Sequence, residues 1–163
     1  MPVTMQDVLN QLDREDPDYV QAAKLGADAL PQILLLLQEQ RPALAAKAAF
    51  LAGAINTEES AAVLAVAARH PEPVVRVAAA ATARNLTQVS TVLAMALLSD
   101  ADAGVRKWGL KSVGTQNIPG IRSKMEEMMQ HDPDQGLRNQ ARRIVDQLGQ
   151  STEPGTGTSP DTR

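Results

Sequence analysis

The chain has no cysteine, and among its 163 residues it has a single Phe, a single Tyr and a single Trp. The first absence excludes disulfides and thiolate metal sites. The second excludes an aromatic core, so whatever is buried must be Leu, Ile, Val, Met and Ala. Such a core suits closely approaching helices better than stacked sheets, which favour aromatic and β-branched residues. Long apolar runs are also missing. The leucine-rich run "ILLLL" at Ile33–Leu37 is far too short to span a membrane. The opening "MPVTMQDVLNQLDRED" has no basic stretch followed by an apolar one, as a secretory signal would. Positive charge is not in excess: the net charge is −3 and the isoelectric point ≈ 5.4, which disfavours nucleic acid as the main partner.

The usual catalytic constellations are scarce too. His70 and His131 are the only histidines and lie in two turn segments read as equivalent, 61 residues apart. That separation is too large for a shared metal or proton, so turn capping is the expectation. Ser60, Ser90, Ser99 and Ser112 have no histidine placed to activate them. The stretch "GTGTS" from Gly155 follows no strand and reads as low-complexity sequence, not a phosphate loop. What is present, 44% hydrophobic and 21% charged residues, is the balance of a soluble globular chain. No cofactor and no metal are expected, and the cytoplasm is the expected location.

The dominant signal is a repeat. "PVVRVAAAATARNL", "AGVRKWGLKSVG" and "QGLRNQARRIVDQL" share one phrase. Anchored on the apolar residue that opens each, with Leu44 as a fourth, the anchors Leu44, Val75, Val105 and Leu137 are 31, 30 and 32 residues apart. Four and eight places further on stand Ala48 and Ala52, Ala79 and Ala83, Gly109 and Val113, and Ala141 and Val145. Such spacing is one face of an α-helix, and its small residues let a neighbouring helix come close. Each of these helices follows a turn and another helix: "ALPQILLLLQE", "NTEESAAVLAVAARH", "TQVSTVLAMALLSD" and "IPGIRSKMEEMMQHD". Asn56 and Glu59 have capping-box spacing, as do Thr4 and Asp7. Met125, Met128 and Met129 read as core at helical spacing, and Glu126 and Glu127 as solvent-facing.

Residues 1–26 therefore read as an N-terminal helical cap or truncated unit. Units follow at 27–55, 56–86, 87–116 and 117–149. Residues 150–163, rich in Gly, Ser, Thr and Pro, are expected to form a disordered tail.

A two-helix unit of this length, with an acidic turn, an apolar–Arg step and alanines at helical spacing, resembles the HEAT repeat, in particular the compact bacterial HEAT-like type. "LPQILLLL" resembles the first helix of such a unit. The resemblance covers roughly residues 17 to 149. It implies an all-α, right-handed solenoid of the HEAT/armadillo type, with about four helix pairs and a short N-terminal cap. Arg76, Arg106 and Arg138 match the family's arginine, and Asp100 or Asp102 and Asp132 or Asp134 its turn aspartate. The resemblance implies that these form a structural ladder between units, with Asp102 and Asp134 taken as its acids. Ala45 departs from the arginine pattern, and Glu72 stands where an aspartate is expected.

In such a stack the second helices line the concave side. Six places after the anchors come Phe50, Ala81, Lys111 and Arg143; two places after, Ala46, Val77, Lys107 and Asn139; nine places after, Gly53, Arg84, Gly114 and Asp146. The expected binding face is therefore Phe50, Val77, Arg84, Lys107, Trp108, Lys111, Arg142 and Arg143, apolar toward one end and basic toward the other. Its expected partner is another protein, through a segment with an apolar stretch followed by acids. The leading expectation is a non-enzymatic scaffold, adaptor or regulatory subunit. The resemblance carries two alternatives: a bilin-lyase-like subunit acting on phycobiliproteins, and a nucleic-acid-binding protein using the basic strip from Lys107 to Arg143.

Overall fold

The computed structural model describes residues 1–150. All its regular structure is helical: α1 Met5–Leu12, α2 Tyr19–Ala22, α3 Leu30–Leu36, α4 Pro42–Ile55, α5 Glu58–Ala67, α6 Pro73–Thr82, α7 Thr91–Leu98, α8 Ala103–Val113, α9 Ile121–His131 and α10 Gln135–Gln150. Short 3-10 turns continue α2 and α6 and precede α3. No strand occurs among the described residues, and no helix among them is long and apolar enough to cross a membrane. The expected tail lies outside the described residues, apart from Gln150, with which α10 ends.

Local chemistry sets the helix ends. Pro42 and Pro73 open α4 and α6 at first-turn positions, where a missing N–H breaks no helical bond. The Thr4 hydroxyl accepts the Asp7 N–H at 3.2 Å while the Thr4 N–H donates to Asp7 Oδ2 at 2.8 Å, a reciprocal cap on α1. The cap of α5 is displaced by one residue from the expected one. Thr57 is the N-cap, its N–H donating to Ser60 Oγ at 3.0 Å. Asn56 instead ends α4 in the left-handed conformation, with φ 51°, and its Oδ1 accepts the Thr87 N–H of the next inter-unit loop at 2.8 Å.

The second helices pack in series, α4 on α6, α6 on α8 and α8 on α10. Beside them α3 packs on α4 and α5, α7 on α8 and α9, and α9 on α10. The expected stripe is the core: Leu44, Ala48 and Ala52, Val75, Ala79 and Ala83, Val105, Gly109 and Val113, and Leu137, Ala141 and Val145 are all buried. Met125 and Met128 are buried as expected, and Met129 is half-buried.

Burial on α4 spreads well beyond one stripe, to Ala45, Ala49, Leu51 and Gly53, because α2, α3, α5 and α6 all pack around it. Gly53 shows how close the helices come. A Cβ there would sit 2.0 Å from Thr82 Oγ1 and 2.7 Å from Thr82 Cβ. Between α6 and α8 the buried Ser112 hydroxyl donates to the Ala80 carbonyl oxygen at 2.6 Å. Ser112 thus satisfies its own polar group while joining two helices.

The arginines lock the same stack from its turn side. Arg106 donates from Nε to Asp132 Oδ2 at 2.8 Å and from its second terminal nitrogen to Asp132 Oδ1 at 3.0 Å. Its first terminal nitrogen donates back to the carbonyl oxygens of Asp100 and Ala101 in its own turn. Arg76 repeats this on Asp100, at 2.9 and 3.2 Å, with its own-turn bonds to the His70 and Pro71 carbonyls. The ladder acids are therefore Asp100 and Asp132, not Asp102 and Asp134. The latter two are helix caps: Asp102 Oδ1 accepts the Gly104 and Val105 N–H groups, and Asp134 Oδ1 the Leu137 N–H. The physical reason is reach, since the acid must project toward the arginine of the preceding unit while the residue two places later faces its own helix.

Burial alone would raise the Asp132 carboxyl, but the hydrogen bonds from Arg106 and from the Asp134 backbone, with the charges of Arg106 and Arg138, hold it below its ordinary value. Arg106 is held above its ordinary value, chiefly by its hydrogen bond to Asp132.

Three substitutions test this packing. Gly53→Ala overpacks the α4–α6 contact and should destabilise the fold by about 1–3 kcal/mol in denaturant titration. Arg106→Ala strands a buried carboxylate and should cost about 3 kcal/mol at neutral pH. Because the folded Asp132 carboxyl is depressed, its contribution is present above the unfolded value of about 3.9 and is lost as pH falls through the lower folded value. Asp132→Asn should therefore be less stable than wild type at pH 7 and lose less on acidification, as read by chemical unfolding across the acid range.

Candidate functional site

The three aromatic side chains, scattered at positions 19, 50 and 108, lie along one side of the second-helix row. Tyr19 and Phe50 are in ring contact, with centroids 5.6 Å apart and planes tilted by 42°. Phe50 and Trp108 line one shallow depression of about 280 Å³ together with Val77, Ala81, Arg84 and Asn85. Lys111 holds its ammonium 4.7 Å from the Trp108 ring centroid. Helical spacing produces this: Phe50 on α4, Val77 and Ala81 on α6 and Trp108 on α8 come together because those three helices are consecutive neighbours.

Each ring is half-buried, so it is held on one side by the protein and open on the other. Arg84 and Lys111 are exposed at the rim. The Lys111–Trp108 contact orients a cation over a π face without neutralising it, leaving the ammonium able to meet an anion. Apolar and aromatic surface edged by free cations can take an apolar side chain and an adjacent carboxylate at the same time. It offers no nucleophile–base pair. Among the described residues no three His, Cys, Asp or Glu side chains gather where a metal could be held.

Of the eight residues expected to bind, Phe50, Val77, Arg84 and Trp108 share the depression, and Lys111 joins it through the indole. Lys107 is exposed on α8, and Arg142 and Arg143 are exposed on α10, but none of these three lines the depression. Nor do Gly53 and Gly114 face it: both are buried against a neighbouring element. Tyr19 was missed, because it lies before the four aligned segments, where no period gives it a register. The available signal was its scarcity, as the one tyrosine in the chain.

The histidines have separate structural settings. His70 Nδ1 accepts the Glu72 N–H at 3.0 Å and caps its turn, while His131 is the exposed last residue of α9. The two turns are equivalent, but His70, six residues before Arg76, holds the place of Asp132 and so stands one place past that of His131. Glu126 and Glu127 pair with Arg122 at 3.1 Å and Lys124 at 3.0 Å.

A wider depression of about 760 Å³, unforeseen from the sequence, runs along the inter-unit loops past Asn56, Thr87, Gln88, Gln116 and Asn117. Its amides are partly committed internally: Asn56 to Thr87, and Gln116 Nε2 to the Ser112 carbonyl at 2.7 Å. The Asn56–Thr87 bond stitches one loop to the next, whereas Gln116 bonds back into its own helix, α8.

No family model matches the chain, and no curated protein is significantly similar to it.

Burial against Phe50 and its surroundings, and secondarily the charge of Asp16, push the Tyr19 phenol above its ordinary value. As the sole tyrosine, it can be titrated directly by ultraviolet absorbance. The midpoint should lie above the ordinary phenol range, and Asp16→Asn should lower it part of the way.

Proposed function

We propose that this chain is a non-enzymatic protein-interaction module. In this reading the helices form a right-handed, HEAT-like solenoid, and a segment of a partner protein lies on the concave row α4–α6–α8. The observation that carries the reading is the convergence of all three aromatic residues on that row, with Arg84 and Lys111 at the edge. In a chain that builds its core from aliphatic residues, aromatics are not needed for filling. Half-buried on one side, they are instead what a partner's apolar side chain can use. The serial packing of the second helices supports the solenoid. The Arg76–Asp100 and Arg106–Asp132 rungs, which repeat between successive units, support it as well.

The partner segment would carry one apolar anchor seated between Phe50 and Trp108, with acidic residues beside it to meet Arg84 and Lys111. A depression of about 280 Å³ accepts a single large aliphatic or aromatic side chain, not a cofactor-sized ligand.

Affinity capture from nuclease-treated lysate tests the reading, with wild type compared against an Arg84→Glu/Lys111→Glu variant of equal helicity. A protein held by wild type and lost by the variant is the expected result, and Trp108 emission should shift when that protein's binding segment is added. The same protein held equally by both would remove the interface from this face.

A further inference from the structure

The ladder has two loose ends. Arg138 makes the same own-turn contacts as the two completed rungs, its terminal nitrogen donating to the Asp132 and Pro133 carbonyls at 2.7 and 3.4 Å. In Arg76 and Arg106 the remaining two nitrogens hold a carboxylate of the following unit. In Arg138, half-buried and equally oriented by its turn, those two nitrogens meet no carboxylate among the described residues.

The matching acid stands at the other end of the molecule. The ladder acids belong to an Asp–x–Asp turn, 100–102 and 132–134, in which the first Asp takes the arginine and the second caps the helix through an N–H three residues on. The same Asp–x–Asp spacing occurs a third time at Asp16–Pro17–Asp18, without the bond from the second Asp N–H to the first carboxylate that closes the other two turns. Asp18 caps α2 in the same way, Oδ1 accepting the Gln21 N–H at 3.0 Å. Asp16 occupies the arginine-accepting place, yet it is exposed and has no hydrogen bond or ion pair from any described residue. Around it lie the exposed acids Asp13, Glu15 and Asp18, offset in part by Arg14 and by Lys47, which donates to the Leu12 and Arg14 carbonyls, while Arg142 and Arg143, with Asp146, are exposed on the helix that carries Arg138. Val20, beside this turn, is 82% exposed, the most exposed large hydrophobic side chain after Met1 among the described residues.

We propose that Arg138 and Asp16 are the two halves of one further rung, formed between two copies of this chain packed end to end. Arg138 of one copy takes the Asp16 carboxylate of the next in the fork geometry that Arg76 and Arg106 use internally. The opposite charges of the two ends bring the copies together, and Val20 is covered on contact. The contact is heterologous: each copy keeps a free Asp16 at one end and a free Arg138 at the other. Association therefore extends beyond a dimer as concentration rises. Resting on exposed charge, it weakens with salt.

Sedimentation velocity over a wide concentration range tests this. The weight-average sedimentation coefficient of wild type should rise with concentration at low salt and flatten at high salt. Asp16→Arg and Arg138→Asp each oppose like charges across the rung and should weaken association at least about tenfold. Mixed in equal amounts they should associate again, because one copy then offers Arg138 to Asp16 and the other an inverted pair. A wild type that stays monomeric throughout overturns the proposal, as does either folded variant associating like wild type, or a folded pair whose mixture does not recover. Should Arg138→Asp lose helix by circular dichroism, Asp16→Arg decides alone, since its site is an exposed turn: association like wild type overturns the rung, and its loss upholds it.

Discussion

The close approach of the second helices is the constraint on which the rest depends. At Gly53 the α4 backbone comes so near α6 that the Thr82 side chain fills the space a Cβ would need. At Ser112 the α8 side chain reaches the α6 backbone itself. Helices this near favour small side chains between them, which is why alanine or glycine takes six of the eight fourth and eighth places and why the chain can do without aromatic filling. Thin contacts of this kind bury little area per residue, so stability must come from many of them in series. Each helix pair leans on its neighbours, and no unit is a core of its own.

The arginine rungs answer a problem that this packing creates. Helices joined by flat alanine faces could slide along or rotate about one another with little loss of contact. A guanidinium that reaches its own turn's carbonyls and the next unit's carboxylate at once fixes both registers. The carboxylate is completed by the backbone N–H two residues on, Asp102 to Asp100 at 2.8 Å and Asp134 to Asp132 at 2.9 Å. The N-terminal half omits the device consistently. Ala45 stands at the arginine position, and His70 stands where the accepting acid of the following unit would be. Losing both partners together is the tolerable way to lose a rung, because either one alone would bury an unpaired charge. There, Lys47 instead donates to the carbonyls of Leu12 and Arg14 and ties down the loop after α1.

Much of this was legible because the repeat encodes relative position. Once Leu44, Val75, Val105 and Leu137 are aligned, the period of the helix assigns every fourth residue to the contact, and all twelve of the anchor, fourth and eighth positions are buried. Where period was replaced by local geometry, sequence reasoning slipped by short distances. Asn56 has the residue type of an N-cap, yet the left-handed turn that ends α4 claims it and passes the cap to Thr57. Asp102 and Asp134 sit in the correct turn, yet two residues of turn backbone decide which of two aspartates faces the arginine. The nine-place row slipped for another reason. By the end of a helix the chain is turning toward the next unit, so Gly53 and Gly114 pack inward while Arg84 stays exposed.

The candidate site inherits its shape from the same constraint. Alanine-spaced helices stand too close for large residues between them, so large residues can project only from the outer edge of each contact. Phe50, Val77 and Trp108 occupy such edges on three consecutive helices, and their spacing across the surface is set by the helix spacing. Tyr19 extends the row into the N-terminal segment, where Pro17 is buried and Asp18 holds the turn. The rings are thus supported by a framework whose register is locked on the opposite, turn-facing side by Arg76 and Arg106. A change in a rung would shift α6 against α8, and with it the distance between Val77 and Trp108, without altering any residue that lines the face. Rigidity of the face and order of the ladder are one property of the stack.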